Sequence, residues 1–230
     1  MLYMENHDHP RIISRYGSEK YRVQSGKTIA AAYLFQKGTP FIYQGQEMGM
    51  TNWRPEDADM YEDVQTRYYY AHSNLKKSEK QRLERLWRSS RDSARTPVQW
   101  DDSENAGFTT GRPWFHVNEN YREVNVAAQE NDPDSLLNFY RKAIALRKSL
   151  PVVRHGTYKE HFPLHPRLYV YSREMAGQRL LVVCSFADKC VDMKIPKGFD
   201  MDKAQLILHS HPLAPGKTLR PYETRVYLFE

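Results

Sequence analysis

The spacing of hydrophobic positions changes near residue 156 of this chain. Before that point, apolar residues recur at the 3.6-residue spacing of helices, between short apolar runs and long polar stretches. After it, apolar and polar residues alternate with a period of 2, in runs separated by turn residues. The pattern predicts an α/β part followed by an all-β, antiparallel part, with the boundary near Leu150–Pro151.

The first part opens with a predicted strand, a helix and a second strand. The apolar stub "MLYM" covers residues 1–4, and an alanine-rich helical pattern covers Tyr21–Lys37 and ends at Gly38. The run "FIYQG", residues 41–45, is predicted to be a buried strand that breaks into a loop. This alternation of strand and helix is typical of parallel α/β architecture.

Two further helices are predicted in the first part. One covers Ser78–Ser90, where Ser78 and Gln81 form a capping box, and the other starts at Asp132–Pro133 and ends at Lys148–Pro151. Their apolar positions are Leu83, Leu86 and Trp87 in the first helix, and Leu136, Leu137, Tyr140, Ala143 and Ile144 in the second. Residues 46–74 and 90–114 hold no long periodic stretch and are predicted to be loops.

The second part shows the period-2 alternation of strands. The alternating positions are Leu180, Val182, Cys184 and Phe186, then Val191, Met193 and Ile195, and later Val226 and Leu228. Cys184 and Cys190 match no zinc spacing and are too sparse for a disulfide framework, so they are predicted to be buried free thiols.

Composition and charge narrow the classes of function. Hydrophobic residues make up 40% and charged residues 27% of the 230 positions, as in an ordinary folded protein. The net charge is +6, which would suit nucleic-acid binding. Basic and acidic residues interleave in "KKSEKQRLERLWR" (76–88), however, and this pattern favours a solvated helix face. Nucleic-acid binding is therefore the weakest of the functional hypotheses. Neither a signal peptide nor a membrane-spanning run is present in the sequence, which predicts a cytoplasmic protein without a membrane partner.

The polar stretch "ENHDHPR" follows the first predicted strand and holds Asn6, His7 and Asp8. At the carboxyl end of a barrel strand, a carboxylate and an imidazole can hydrogen-bond sugar hydroxyls or shift the pKa of a neighbouring acid. The structural alternative is that Asn6 and Asp8 terminate the strand and cap the next helix. The residues alone leave both interpretations open.

The predicted loop 90–114 contains "RDSAR", with Arg91 and Arg95 four residues apart. Arginine presents its donors in a fixed fork that suits carboxylates and vicinal hydroxyls, although both residues would equally serve in salt bridges that fasten the loop. The chain has 16 tyrosines and 4 tryptophans, and Trp53, Trp100 and Trp114 lie in predicted loops, where sugar stacking is an alternative to packing. Nothing in the sequence indicates a nucleotide site.

Several motifs in order resemble the carboxyl-terminal portion of alpha-amylase family glycoside hydrolases. They are "ENHDHPRIISRYG", "KGTPFIYQGQEMGMTN", "SRDSARTPVQWDDSENAGFTTGRPW" and "LRPYETRVYL". Within that family they look closest to the oligo-1,6-glucosidase, alpha-glucosidase and trehalose-6-phosphate hydrolase branch, over essentially the whole chain. The resemblance implies a (β/α)₈ TIM barrel with a C-terminal antiparallel β-sandwich, and a retaining α-glucosidase mechanism with an Asp nucleophile and a Glu acid/base.

The resemblance also implies roles for individual residues. Asp8 would bind ring hydroxyls and stabilise the transition state, while His7 would donate to a neighbouring hydroxyl. Arg91 matches an arginine that reaches the same subsite, Arg95 is expected to brace the loop, and Gln65 falls where relatives often place a Glu near the leaving group. No cofactor is implied, and no metal is predicted, because the metal site of some relatives matches no residue here.

Two positions depart from the family pattern, and both are expected to lie close to the site. His9 stands where relatives usually carry Gln, and Gln46 stands where many carry Glu. These departures leave open which α-glucosidic bond is preferred.

The resemblance implies only part of a barrel, because eight strand–helix units need about 250 residues. Residues 1–150 are expected to supply the end of strand 7 and unit 8, and residues 151–230 the sandwich domain. No motif matches the nucleophile or the acid/base, so the chain is expected to be a fragment that is inactive alone and complemented by a missing N-terminal barrel part. The alternatives are a trehalose-6-phosphate hydrolase fragment and a non-catalytic module for carbohydrate binding or partner docking.

Overall fold

A computed structural model describes residues 1–73, 77–211 and 216–230 of the chain. Its helices are α1 (Ile12–Arg15), α2 (Arg22–Leu34), α3 (Val64–Ala71), α4 (Glu79–Ser89), α5 (Val126–Glu130), α6 (Leu136–Ser149) and α7 (Pro151–His155). Its strands are β1 (Leu2–Tyr3), β2 (Pro40–Phe41), β3 (Thr157–His161), β4 (Leu168–Met175), β5 (Gln178–Ser185), β6 (Val191–Asp192), β7 (Gln205–His209), β8 (Thr218–Leu219) and β9 (Thr224–Phe229). Short 3₁₀ turns cover Ala58–Met60, Arg91–Ala94, Glu104–Gly107, Glu119–Arg122 and Met201–Lys203.

Contacts group the chain into two units. The β unit contains residues 1–2, 20–41 and 132–230, and the loop unit contains residues 3–19 and 42–131. These units do not follow the boundary expected near residue 150, because α2 and α6 group with the sheet. The division into a barrel part and a sandwich domain therefore stays a prediction.

The β unit is built on an antiparallel sheet of five strands in the order β3-β4-β5-β9-β7. The predicted antiparallel β part is confirmed by this sheet. A second sheet pairs β6 with β8, and its Val191 and Leu219 share one hydrophobic core with Leu181, Val183 and Phe229 of the larger sheet. The two sheets therefore contribute to one hydrophobic core.

The central strand β5 is buried on both faces, since Leu180 and Val182 are as fully covered as Leu181 and Val183. Helices α2 and α7 lie against the sheet and cover its second face. This explains why α2 is buried along Ser25–Leu34 rather than along one stripe. The helix predicted over 21–37 is confirmed, with both ends shorter.

Two predicted elements differ in their bounds from the structure. The strand predicted over 41–45 stops at Phe41, and Phe41 and Ile42 are exposed rather than buried. The helix predicted to begin at Asp132–Pro133 begins at Leu136, because the Ser135 hydroxyl accepts the N–H of Asn138 and so caps it there.

The predicted loop 46–74 contains the helix α3, although Asn74, and likewise Lys76 of the charged run, lie outside the described residues. The structure shows Cys184 buried, as predicted, whereas Cys190 is exposed just before β6. The helix predicted over 78–90 is confirmed as α4, together with its capping box. Across the described ranges, no helix is long and apolar enough to cross a membrane, and the location of the protein stays a prediction.

Replacing Gly156 by alanine is expected to destabilise the β unit by about 2 kcal/mol. A Cβ at this glycine would lie 2.4 Å from Val152 O and 3.0 Å from Glu174 O, and neither backbone oxygen can move freely. Urea unfolding checks the change, with Gly111→Ala as the matched control, because its Cβ would meet Thr109 Oγ1 at an ordinary 3.8 Å. Equal midpoints for the two variants would contradict the close packing at Gly156.

Candidate functional site

The turn after β1 presents His7 and Asp8 to solvent. Asn6 Oδ1 accepts the N–H of Asp8 at 2.8 Å, which fixes the turn as the structural interpretation of Asn6 expects. Asp8 itself caps no helix, because α1 begins at Ile12. The side chains of His7 and Asp8 are 69% and 48% exposed.

Asp8 has nitrogen partners at both of its carboxylate oxygens. Arg91 Nη1 lies 3.1 Å and Arg95 Nη2 3.4 Å from its Oδ1, while His7 Nε2 lies 3.3 Å from its Oδ2. Arg95 Nε also donates to the carbonyl oxygen of His7 at 3.2 Å. The structure therefore brings His7, Asp8, Arg91 and Arg95 together, and Arg95 both braces the loop and contacts Asp8. We call these four residues the Asp8 cluster.

Asp63, which no sequence motif indicated, holds Arg91 of this cluster in place. Its Oδ1 accepts from Arg91 Nε at 3.0 Å and from Arg91 Nη2, and its Oδ2 accepts from Thr66 N at 2.9 Å and Thr66 Oγ1 at 2.7 Å. Burial opposes ionisation of this carboxyl, yet the hydrogen bonds from Arg91 and Thr66 outweigh it and lower the pKa of Asp63. The hydrogen bonds that Arg91 donates to Asp63 raise the pKa of Arg91.

A local signal for Asp63 was present in the sequence. Asp63 is the N-cap of α3, three residues before Thr66, which is the spacing of a side-chain cap. Helix α3 has no buried apolar stripe by which the sequence would have predicted it: Val64 and Tyr68 are 78% and 59% exposed. The cap spacing alone therefore carried the information.

Asp92 ties the segment around Asp63 to the turn that carries Arg91. Its Oδ2 accepts the backbone N–H groups of Glu62 at 2.8 Å and Asp63 at 2.9 Å, and Arg95 Nη1 lies 3.9 Å from its Oδ1. The side chain is fully buried, and this burial raises the pKa of Asp92. Asp92 thus fixes backbone rather than facing a ligand.

A buried ion pair between Glu5 and Arg11 holds the loops that frame the cluster. Arg11 Nη1 lies 3.3 Å from Glu5 Oε2 with both side chains at 0% exposure, and it donates to Gln44 O at 2.7 Å. Arg11 Nε donates to Ser93 O at 3.1 Å. Burial raises the pKa of Glu5 more than the neighbouring Arg11 charge lowers it. One guanidinium therefore joins the turn that bears Asp8, the loop at Gln44 and the segment that bears Arg91.

Gly45 makes room for this arginine. It has a left-handed φ of 87°, and a Cβ there would lie 2.3 Å from Met50 Sδ and 3.1 Å from Arg11 Nη1. Glycine is required on both counts, because a side chain would be strained and would also collide.

The remaining sequence candidates lie in different surroundings. Gln65 is exposed on α3, and its side chain donates to Tyr69 Oη at 3.2 Å rather than to the Asp8 cluster. His9 stacks against Tyr3 with ring centroids 6.4 Å apart, and Gln46 is 1% exposed. Trp53 packs in a core with Tyr61, whereas Trp100 and Trp114 are exposed.

The Asp8 cluster offers a solvent-accessible carboxylate with an imidazole and two guanidinium groups within 3.1–3.4 Å of it. Such groups suit a hydroxyl-rich ligand, because Asp8 accepts hydrogen bonds while His7 and the arginines donate them. Within residues 1–73, 77–211 and 216–230, no group of three or more His, Cys, Asp or Glu side chains could hold a metal ion.

Comparison with known proteins matches residues 1–156 to the alpha-amylase catalytic domain model. The oligo-1,6-glucosidase of Bacillus cereus is 39% identical over 98% of this chain and 42% of its own length. The trehalose-6-phosphate hydrolase of Bacillus subtilis is 40% identical over the same shares.

Solved structures of two relatives are similar to this chain over its full length. The crystal structure of Bacillus licheniformis trehalose-6-phosphate hydrolase superposes with a TM-score of 0.94 at 40% identity, covering 100% of this chain and 43% of that one. Trehalulose synthase from Pseudomonas mesoacidophila gives a TM-score of 0.92 at 36% identity over 100% of this chain and 43% of that one. The chain spans about 42% of the length of the curated relatives it matches. Because the family model covers more than half of its residues, this chain belongs to the alpha-amylase family.

Proposed function

We propose that this chain contributes the glucose-binding side of an α-glucosidase active site that acts on short α-linked oligosaccharides. The proposal rests on one observation: Asp8 is a solvent-accessible carboxylate that His7, Arg91 and Arg95 surround. In this role Asp8 accepts hydrogen bonds from ring hydroxyls, and His7 donates to a neighbouring hydroxyl. Hydrogen bonds of this kind strengthen as the sugar distorts towards an oxocarbenium-like transition state.

The two arginines give Asp8 its position, because both lie within ion-pair distance of its Oδ1. Arg91 is itself fixed by Asp63, so its Nη1 remains directed at Asp8 when a sugar arrives. Gln65, on the exposed face of α3, is proposed to lie towards the leaving group. This geometry binds and orients a glucosyl ring but breaks no bond by itself.

The proposal assigns the nucleophile and the general acid to residues outside this set of 230. Asp63 is buried and engaged by Arg91 and Thr66, which makes it unsuited to attack a sugar. In this proposal β1 is the end of the seventh barrel strand, β2 opens the eighth unit, and a complementary barrel part completes the pocket. A substrate with a phosphate, as trehalose-6-phosphate has, is a second candidate, because relatives of both kinds match at similar identity.

The Asp8→Asn variant tests the proposed role in an enzyme that supplies the other carboxylates. The chain replaces the matching part of the Bacillus cereus oligo-1,6-glucosidase, and hydrolysis of isomaltose and trehalose-6-phosphate is followed. We expect Asp8→Asn to lower kcat/KM by about 100-fold, the usual cost of losing one transition-state contact.

Asp188→Asn, which changes an exposed carboxyl of the β unit, is the matched control and is expected to leave the rate unchanged. The unfused chain is incubated with p-nitrophenyl α-glucoside and isomaltose in parallel, and no turnover is expected. Robust turnover by the unfused chain, abolished in Asp8→Ala, would refute the assignment of the catalytic carboxylates to other residues.

A further inference from the structure

A cavity of about 470 Å³ opens at the edge of the hydrophobic core in the β unit. Its volume falls within the range of small-molecule sites. The side chains that line it include Met193, Ile195, Met201, Lys217, Arg225 and Tyr227. The cavity therefore combines a wall of apolar side chains with two basic groups.

The apolar wall follows from the alternation of residues along β6 and the segment after it. Met193 N donates to Lys217 O at 3.1 Å, so the pairing of β6 with β8 continues to this residue. Val191, Met193 and Ile195 share one side of the segment, because successive side chains of an extended chain point to opposite faces. Val191 is buried in the core, whereas Met193 and Ile195 pack against the core and stay partly buried. Apolar side chains are thus left partly uncovered at this end of the core.

Two hydrogen-bond donors beside the cavity meet a weak acceptor. Arg225 Nη1 donates to Met193 Sδ at 3.7 Å, and Tyr227 Oη donates to the same sulfur at 3.8 Å. Both donors are nearly fixed, because Arg225 and Tyr227 are 1% and 5% exposed and Arg225 Nη2 donates to Thr218 O at 3.1 Å. A thioether accepts hydrogen bonds weakly, whereas a carboxylate accepts them about twice as strongly as a neutral group. A carboxylate in the cavity would therefore be a better partner for these donors than the sulfur is.

The charges at the cavity favour an anion. Glu223 lies 2.7 Å from Arg225 Nε and 3.1 Å from Arg220 Nε, so one carboxylate faces two guanidinium groups. The exposed Lys217 adds a third positive charge. Asp192 is exposed on the other face of β6, away from the apolar wall. The excess of cations is complementary to an acidic ligand.

We propose that this cavity binds a medium-chain aliphatic carboxylate. The hydrocarbon chain lies on Met193, Ile195 and Met201, and the flexible thioethers adapt to its shape. The carboxylate lies between Lys217 and Arg225 and replaces the methionine sulfur as the acceptor of the Arg225 hydrogen. The inference is separate from the proposed function, because the cavity belongs to the β unit and the proposed glucose site to the loop unit.

The test is a titration of the 230-residue chain, labelled with ¹³C at its methionine methyl groups, observed by NMR. The ligands are sodium octanoate, octan-1-ol and sodium acetate, and Met193→Leu and Met201→Leu identify the two signals of the cavity. We expect both signals to shift with octanoate, while the signal of Met175, which is 38% exposed and does not line the cavity, stays in place. Octan-1-ol lacks the charge and should bind roughly fivefold to tenfold more weakly, and acetate lacks the chain and should shift neither signal.

Two variants test the two parts of the cavity. Lys217→Gln removes an exposed charge and should weaken octanoate binding roughly threefold while leaving octan-1-ol binding unchanged. Lys197→Gln is the matched control, because it changes an exposed lysine that does not line the cavity. Ile195→Trp fills the cavity and should abolish octanoate binding, and a urea midpoint equal to that of the parent shows that the chain is still folded.

Four outcomes would overturn the proposal. The first is octanoate that shifts neither cavity signal. The second is equal affinity for octanoate and octan-1-ol, which would show that the cavity takes any apolar chain rather than an anion. The third is an equal loss in Lys217→Gln and Lys197→Gln, which would assign the binding to the net positive charge of the chain. The fourth is a Met193 signal that moves on dilution without ligand, which would show that a second copy covers the cavity.

Discussion

Replacing Arg11 by methionine is expected to destabilise the loop unit by about 3–5 kcal/mol, the usual cost of breaking a buried ion pair. Methionine fills much of the volume of arginine but leaves the Glu5 carboxyl buried without its cation. The carbonyl oxygens of Gln44 and Ser93 lose their donor as well. Burial already raises the pKa of Glu5, and the loss of the Arg11 charge would remove the main influence that lowers it.

The matched control for this prediction is Arg15→Met. Arg15 is exposed and lies over the ring of Tyr16 at 4.8 Å, a contact that contributes little at the surface. Urea unfolding with fluorescence detection should show a large shift of the midpoint for Arg11→Met and almost none for Arg15→Met. A shift below about 1 kcal/mol for Arg11→Met would mean that the three loops are joined by other contacts.

Replacing Asp63 by alanine is expected to cost about 3 kcal/mol at neutral pH, from a lost helix cap and lost hydrogen bonds to a charged donor. The loss of unfolding free energy in Asp63→Ala is also expected to depend on pH. Hydrogen bonds from Arg91 and Thr66 outweigh burial, so the pKa of Asp63 is lower when folded than when unfolded. The carboxylate therefore stabilises the fold fully above its unfolded pKa of about 3.9, and this contribution disappears as the pH falls through the lower folded value.

Unfolding of the parent and Asp63→Ala between about pH 6 and pH 3 checks the sign. The difference in unfolding free energy should be largest at the upper end and should shrink below about pH 4. Asp102→Asn, which changes an exposed carboxyl in the same unit, serves as the control and should follow the parent throughout. A difference that stays constant with pH would show that Asp63 acts through packing rather than through its charge.

The sequence predicted those elements whose signals are local. The capping box at Ser78 and Gln81 placed the start of α4, and the period-2 alternation placed the antiparallel strands. The strand at residues 41–45 was overextended because its apolar residues imply neighbours on both sides, whereas Phe41 and Ile42 remain exposed. The apolar pattern of a segment shows which residues could be buried, but it does not show whether another part of the protein covers them.

The candidate site divides in the same way. His7, Asp8 and Arg91 were predicted from motifs, and the structure brings them together. The contact between Asp63 and Arg91 was missed because 28 residues separate the two in the chain, and the helix cap at Asp63 was overlooked. The pair of Glu5 and Arg11 is close in sequence, but no spacing rule marks an ion pair that becomes buried only in the folded loops. Ring stacking was open for three tryptophans in the sequence, and burial removes Trp53 from that set.

The position of β9 has a consequence for how the β unit is made. This strand follows every other strand of the five-stranded sheet in the chain, yet it lies between β5 and β7. During synthesis, β3, β4 and β5 can pair as a meander. Strand β7 has no strand to pair with until Thr224–Phe229 have left the ribosome, because it pairs with β9. A truncation that removes Thr224–Phe229 would therefore delete the strand between β5 and β7, and would leave β7 without a partner and available to aggregate.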